Sequence, residues 1–285
     1  MTRLPLVARR AEDILGVAVV STAPVAGGDI ATATRMRLND GTTALMKTLP
    51  HAPEGFFEAE VRGLRWLGEA DGVGVPEVLG HDEECVILRW VEPGKTTVEA
   101  ALAFGRALAR THDAGAPEFG GGRDGFIGRL PLPNRPAPTW GEFYATRRVL
   151  PYLKLARDRG AATDDDARTV ERVVGRLPDL LPEERPARIH GDLWNGNVLW
   201  GLDGEVRVID PAAHGGHREA DLAMLSLFGL PHLPRVLEAY HEASPLADGW
   251  EDRLPLHQLF PLLVHAAMFG GGYAARAATI AGRYL

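Results

Sequence analysis

Three polar residues with a distinctive spacing, Asp192, Asn197 and Asp210, are the sequence feature best suited to chemistry. Asp192 and Asn197 lie five positions apart in the segment HGDLWNGN, and Asp210 follows Asn197 by thirteen positions. Two short apolar runs at 198–200 and 205–209 flank the turn GLDG, which predicts a β-hairpin between Asn197 and Asp210. Because a hairpin brings the ends of its strands together, we expect Asn197 and Asp210 side by side, with Asp192 in the adjoining loop.

This group of side chains is typical of phosphoryl transfer. One carboxylate must accept the proton of the attacking hydroxyl, while a separate amide and carboxylate hold Mg²⁺ against the phosphates. The aspartate, asparagine and second aspartate supply these three groups, and their spacing matches the catalytic loop of kinases. The alternative is that these side chains only satisfy backbone groups of a loop, as Asp and Asn often do.

A second signal is the pair Lys47 and Glu60. Lys47 is one of only three lysines in the chain, and it lies within a predicted strand at 42–49 on the same face as two leucines. Glu60 falls within the apolar stripe of a predicted helix at 54–69, together with Phe57, Leu64 and Leu67. A buried ammonium and a buried carboxylate each need a partner. A strand lysine paired with a helix glutamate reaches the nucleotide phosphates in kinases; the alternative is an edge-strand lysine with its ammonium in water.

Two further segments lie where a nucleotide-binding site would need them, although their sequence signals are weaker. Gly27 and Gly28 precede a predicted strand at 30–38, where a phosphate-covering loop would lie, although they match neither Walker A nor GxGxxG and could form only a tight turn. Arg89, Trp90 and Val91 end a predicted strand just before the break Glu92-Pro93-Gly94. Exposed backbone at 89–91 could hydrogen-bond adenine.

The elements around these residues predict an α+β fold with two lobes. Residues 1–91 are expected to form an N-lobe of small antiparallel sheet plus one helix, and residues 92–285 a mostly helical C-lobe that carries the catalytic loop and the hairpin. The Gly/Pro-rich segment 115–138 is too long for an ordinary connection and is predicted to be a functional loop packed on the surface. Helices are expected at 98–112, 139–159, 163–177, 219–228, 233–242 and 256–283.

Composition excludes several classes of protein. The 285 residues are 45% hydrophobic and 24% charged, which argues against a disordered, collagenous or coiled-coil chain. A net charge of −7 argues against the basic surface that binds the phosphates of nucleic acid.

Membrane and secretory segments are not predicted either. The longest apolar stretch is well short of the roughly 20 residues of a membrane span, and no signal peptide is predicted. Cys85 is the sole cysteine, so we expect no disulfide and a cytoplasmic location. The oligomeric state is left open.

Two other functional classes deserve comparison. The side chains of a metal-hydrolase site could come from the set His190, Asp192, Asp210, His214 and His217. That hypothesis lacks HExxH spacing and leaves the lysine–glutamate pair unexplained. A catalytically dead nucleotide-binding module would be expected to have lost an acidic group, and none is missing.

These motifs together resemble a known family. The segments HGDLWNGN at 190–197, IDPA at 209–212 and HGGHREADLAM at 214–224 are similar to those of fructosamine kinases, relatives of the aminoglycoside phosphotransferases with a bilobal protein-kinase-like fold. The resemblance extends along the chain through GGDIATATR, FFEAEVRGLRWL, DGFIGRLPLPN and LVHAAMFGGGY. It implies ATP- and Mg²⁺-dependent phosphorylation of a ketosamine hydroxyl, typically at C3 of the sugar, in deglycation. An aminoglycoside- or choline-type phosphotransferase is the alternative.

The resemblance also implies roles for the catalytic and cofactor residues. Asp192 is the expected base, Asn197 and Asp210 the Mg²⁺ ligands, and Lys47 with Glu60 the pair that positions the phosphates. Gly27, Gly28 and the segment Arg89, Trp90, Val91 are the other nucleotide-binding candidates. His190 and Asp221 are expected to support the catalytic loop. Since Pro211 follows Asp210, an extended backbone is expected at Asp210.

The acceptor side is the least defined part of the predicted site. Trp194, His217, Arg218 and Glu219 are its candidates, although the last three could simply open a helix, where a glutamate is favoured by the dipole. An indole can pack on a sugar face and donate a hydrogen bond. Because residues 211–219 offer neither an acidic cluster nor an aromatic cage, we expect a ketosamine to be preferred over an aminoglycoside or choline.

Overall fold

The structure is a computed structural model that describes residues 6–26 and 30–285. Its N-terminal part is a five-stranded antiparallel sheet with strand order β1-β2-β3-β5-β4. The strands are β1 (Val19–Val25), β2 (Thr32–Leu38), β3 (Thr43–Thr48), β4 (Val78–His81) and β5 (Cys85–Arg89). The strands predicted at 30–38 and 42–49 therefore form, and they pair as a hairpin around the turn Asn39-Asp40-Gly41.

Lys47 lies in an interior strand of this sheet. In β3 it pairs with Ala33 of β2 on one side and with Val86 of β5 on the other. Alternate residues along this strand face opposite sides of the sheet. Met46 belongs to the apolar cluster on one side, and Leu49, which directly follows β3, belongs to the cluster on the other. The alternative of an edge-strand lysine is excluded.

The N-lobe contains two helices rather than the one predicted. Helix α1 (Leu6–Leu15) packs Ala8 and Ala11 against one face of the sheet, and α2 (Phe56–Gly68) packs Phe57 and Leu64 against the other. The first helix was missed although its apolar residues recur at helical spacing, from Val7 and Ala8 through Ala11 to Ile14 and Leu15.

The second lobe is mostly helical, as expected. Its helices are α3 (Val98–Asp113), α4 (Trp140–Phe143), α5 (Leu150–Asp158), α6 (Asp164–Val174), α7 (Leu177–Leu180), α8 (Glu219–Phe228), α9 (Leu233–Ala243), α10 (Trp250–His257), α11 (Leu259–Phe269) and α12 (Tyr273–Ala281). A π-helical turn, Tyr144–Val149, joins α4 to α5. The single helix expected at 256–283 is interrupted, because Gly270 and Gly271 adopt positive φ and end α11. No helix in the described ranges is long and apolar enough to cross a bilayer.

Three two-stranded ribbons lie among these helices. Strands β6 (Gly125–Ile127) and β7 (Leu130–Leu132) form a hairpin within the Gly/Pro-rich segment. Strand β8 (Ala187–Ile189) pairs antiparallel with β11 (His214–Gly216), and β9 (Val198–Trp200) pairs with β10 (Val206–Val208). The β9–β10 hairpin was predicted; the β8–β11 pairing was not, and it holds the segments that carry Asp192 and Asp210 together. The lobe boundary at residues 91 and 92 stays a prediction.

Candidate active site

A cleft of about 1360 Å³ gathers the predicted catalytic residues. Lys47 and Glu60 line it from the N-lobe, and Asp192, Asn197 and Asp210 line it from the second lobe. Residues separated by more than 160 positions in the sequence therefore share one cavity. A largely preformed cleft with a few converging polar groups is the usual form of a small-molecule site.

Lys47 forms a buried ion pair with Glu60. Its Nζ lies 2.7 Å from Glu60 Oε1 and 2.8 Å from Oε2, and it also contacts the Asp210 carboxylate. The two side chains of the pair are only 12% and 9% exposed. Burial alone would lower the pKa of Lys47, but the charges of Asp210 and Glu60 raise it above its ordinary value, so Lys47 is an ammonium ion.

Asp192 and Asn197 are held together by hydrogen bonds. Asn197 Nδ2 donates to the backbone oxygen of Asp192 at 2.8 Å and approaches its Oδ2 at 3.3 Å. The Ile209 N–H donates to the Asn197 carbonyl at 3.0 Å, so the two hairpin ends are adjacent as predicted. Burial, reinforced by the nearby Asp210 charge, raises the pKa of Asp192 to about 7.

Asp210 has a different backbone conformation from the one expected. Its φ of 56° is left-handed rather than extended. Aspartate is among the few non-glycine residues that tolerate this region, and the contact between its carboxylate and Lys47 fixes the side chain there. The prediction of an extended backbone was wrong, because the steric effect of Pro211 on the preceding residue is a preference and does not fix its conformation.

A buried carboxylate, Asp221, binds the backbone at the start of the catalytic loop. Asp221 accepts hydrogen bonds from the backbone N–H groups of His190 and Gly191 at 2.8 and 2.9 Å. His190 in turn accepts the N–H of Asp192 at 3.2 Å and donates through Nε2 to the Ile209 carbonyl at 2.9 Å. These contacts are the ones that a supporting role for His190 and Asp221 requires.

The support continues through two residues that the sequence analysis missed. His112 Nε2 lies 3.1 Å from Asp221 Oδ2, and His112 Nδ1 lies 2.8 Å from the Tyr240 hydroxyl. All three side chains are buried. Since they come from α3, α8 and α9, this chain of contacts fixes the catalytic loop against the core of the second lobe.

The donor set at the hairpin fits Mg²⁺. Oxygen atoms are the ligands that Mg²⁺ prefers, and Asp210 offers a carboxylate while Asn197 offers an amide oxygen. Because Asn197 Nδ2 is engaged by Asp192, the amide is oriented with Oδ1 turned away from that bond. Among the described residues, Oδ1 accepts no hydrogen bond.

The predicted nucleotide-binding segment also borders the cleft. Arg89, Trp90 and Val91 all line it, with the Arg89 side chain bonded to Glu77 at 2.7 Å. In the part of the chain that the structure describes, the Val91 N–H has no hydrogen-bond partner. Gly27 and Gly28 lie outside the described residues.

Among the acceptor candidates, only Trp194 lines the cleft. Its indole is partly exposed and packs over Gly196, where any Cβ would overlap the ring. A side chain at 196 would therefore displace the indole from this position.

The other three acceptor candidates belong to a buried ion network. Glu219 is bound by Arg253 at 2.6 and 3.1 Å. Arg218 is bound by both oxygens of Glu184 at 2.9 Å. His217 stacks on another buried imidazole, and burial lowers its pKa to about 3. None of the three lines the cleft, which favours the alternative that they open α8 and pair with neighbouring side chains.

The histidines of the metal-hydrolase hypothesis do not converge. His190 Nε2 is bonded to a backbone carbonyl, as is His214 Nδ1, which donates to Ala212 at 2.8 Å. The imidazole of His217 lies in the separate ion network. The described residues therefore favour the kinase-like arrangement.

A group of aromatic residues beside Trp194 was not predicted. Phe228 ends α8, and His265 and Phe269 lie on α11, so packing between helices distant in sequence brings them together. His265 and Phe269 line the cleft. The motif LVHAAMFGGGY contains His265 and Phe269, but the local sequence does not show that α11 packs beside Trp194.

Together, the two lobes, the lysine–glutamate pair and the hairpin carrying Asn197 and Asp210 define a kinase-like phosphotransferase. A model of the fructosamine kinase family matches residues 5–285. The chain belongs to the fructosamine kinase family.

Individual relatives agree with this assignment. A probable ketoamine kinase of Enterococcus faecium is 36% identical over 89% of this chain and 91% of its own, and one of Thermus thermophilus is 38% identical over 88% of each. A crystal structure from Thermobifida fusca assigned to fructosamine-3-kinase superposes with a TM-score of 0.93 at 51% identity, covering 99% of both chains. An aminoglycoside phosphotransferase in complex with streptomycin and ATP has a TM-score of 0.65 at 12% identity over 99% and 97% of the chains, a likeness of fold.

Proposed function

We propose that this enzyme transfers the γ-phosphoryl group of ATP to a hydroxyl of a ketosamine, at C3 of the sugar, with Mg²⁺ as cofactor. The observation that carries the proposal is the meeting of Asp192, Asn197 and Asp210 with the Lys47–Glu60 pair in one cleft. Family membership and the fructosamine-3-kinase assignment of a 51% identical relative support a ketosamine as acceptor. The cytoplasmic location stays a prediction.

Asp192 is the proposed general base. Its carboxylate takes the proton of the sugar hydroxyl as the hydroxyl oxygen bonds to the γ-phosphorus, and the bond from that phosphorus to the bridging oxygen breaks to leave ADP. A pKa of about 7 suits proton transfer near neutral pH. Asn197 and Asp210 would hold Mg²⁺, which in such sites neutralises charge on the phosphates.

The N-lobe residues are proposed to position the nucleotide. Glu60 holds the Lys47 ammonium in the cleft, where it can bind phosphate oxygens. The unbonded Val91 N–H is a donor suited to adenine, and Gly27 with Gly28 would cover the phosphates. The assignments of Lys47, Glu60 and Val91 follow from their positions on the cleft wall, whereas that of Gly27 and Gly28 rests on the sequence alone.

One second candidate has an observation in its favour. The aromatic side chains beside Trp194 suit a quaternary ammonium group, so a choline-type phosphotransferase is the competing function. The whole-length similarity to ketoamine kinases favours the ketosamine.

A comparison of kcat/KM among acceptors distinguishes a ketosamine kinase from the other phosphotransferases. With Mg²⁺ and ATP at constant ionic strength, we expect kcat/KM for fructosyl-lysine to exceed that for kanamycin or choline by about 10²-fold or more. Choline lacks the sugar hydroxyls, and kanamycin carries several ammonium groups for which residues 211–219 offer no acidic cluster. A coupled assay for ADP measures all three. Faster turnover of kanamycin or choline would overturn the ketosamine assignment and leave the phosphotransferase class intact.

A further inference from the structure

Five aromatic rings pack in one continuous group beside the cleft, here termed the aromatic wall: Trp194, Phe228, His265, Phe269 and Tyr273. The ring centroid of Phe228 lies 6.1 Å from that of Trp194 and 5.0 Å from that of His265. Phe269 and Tyr273 follow at 5.6 and 5.2 Å from His265. Three segments distant in sequence therefore contribute to one wall.

Three members of the aromatic wall border the cleft that holds the catalytic residues. Trp194, His265 and Phe269 line the same cleft as Asp192. Trp194 is 37% exposed and Phe269 is 56% exposed. Neighbouring exposed apolar side chains on a cleft wall are a mark of ligand binding.

His265 adds a hydrogen-bond acceptor to this surface. Its Nδ1 lies 2.7 Å from the carbonyl oxygen of Pro261, which can only accept, so Nδ1 carries a proton. In the neutral imidazole Nε2 is then an acceptor. Over the described ranges Nε2 makes no hydrogen bond, and it is available to a ligand.

The chemistry of the wall matches one end of a ketosamine. Such a molecule joins a polyhydroxy sugar to a secondary amine that is protonated near neutral pH and carries an alkyl group. Aromatic faces attract cations and pack on alkyl chains. The sugar must lie at Asp192 for its hydroxyl to lose a proton, and Trp194, two residues away, begins the wall.

We propose that the aromatic wall binds the protonated amine of the ketosamine and its alkyl group, with His265 Nε2 accepting a hydrogen bond from the amine N–H. This inference rests on the proposed function and extends it. The catalytic loop then selects the sugar, and α11 selects the group attached to the sugar.

The test compares two substrates that differ in charge. Fructosyl-lysine carries the protonated amine, whereas a 1-O-alkyl fructose ether keeps the sugar and an alkyl chain without the charge. In Phe269→Ala, the ratio of kcat/KM for the amine to that for the ether is expected to fall about tenfold, the size of one cation–π contact. Leu6→Ala, which truncates an exposed side chain on α1, is the control and keeps the wild-type ratio.

Two variants of His265 separate the loss of a hydrogen-bond acceptor from a general effect on folding. His265→Leu removes the acceptor and is expected to lower the same ratio, and His265→Gln, which keeps an acceptor oxygen, should restore part of it. An unchanged ratio in both Phe269→Ala and His265→Leu, with the melting temperature retained, would overturn the proposal while the proposed function stands. If the wild-type enzyme phosphorylates neither substrate, both are overturned.

Discussion

Asp192→Asn is expected to lower kcat by about 10²–10⁴-fold while ATP affinity is retained. The amide nearly preserves the shape of the side chain but cannot accept the hydroxyl proton. The contact of Asn197 Nδ2 with the backbone oxygen at position 192 survives the substitution, so the loop should keep its conformation. Steady-state kinetics together with nucleotide titration by calorimetry measure both quantities.

A matched control isolates the role of this carboxylate. Asp179→Asn makes the same chemical change at an exposed position on α7 and should leave kcat at the wild-type value. If Asp192→Asn keeps kcat within about threefold of wild type, the loss assigned to a general base is absent and Asp192 is not the base.

The second large effect is expected from Lys47→Met. Loss of the ammonium removes the group that positions the phosphates, and kcat/KM for ATP should fall by at least about 10²-fold. Glu60 is then left as an unpaired buried carboxylate, a change that typically costs about 3–5 kcal/mol of stability. The melting temperature should therefore fall with the activity.

The double variant Lys47→Met/Glu60→Met separates these two effects. Replacing both members of a buried ion pair by apolar residues is often close to neutral for stability. The double variant should recover much of the lost melting temperature and none of the turnover. Unchanged turnover and stability in Lys47→Met would instead contradict a role for this residue in the site.

Local sequence patterns predicted which side chains lie close together at the centre of the candidate site. Asp192, Asn197 and Asp210 lie within twenty residues, and a single hairpin brings Asn197 next to Asp210. The partner of Lys47 could be predicted because an apolar stripe on one helix places Glu60 toward the sheet. In both cases the residues that meet lie on one element or on two elements that are neighbours in the sequence.

Contacts between distant elements could not be predicted in this way. His112 and Tyr240 are 128 positions apart, and neither carries a local sign that it supports the catalytic loop. The ion pair of Glu219 with Arg253, and the packing of α8 against α11 that builds the aromatic wall, likewise depend on how helices pack in three dimensions. The left-handed backbone of Asp210 is likewise absent from the local sequence signal, since Pro211 favours an extended residue before it.

The most direct test of the account is the identity of the reaction product. Purified enzyme, Mg²⁺, ATP and fructosyl-lysine are incubated, and the mixture is followed by ³¹P and ¹H NMR alongside quantitation of ADP. The account predicts a single phosphomonoester, formed in equal amount to ADP, whose phosphorus couples to the proton on C3 of the sugar. Release of ADP with inorganic phosphate alone, or no ADP at all in the presence of the ketosamine, would contradict it.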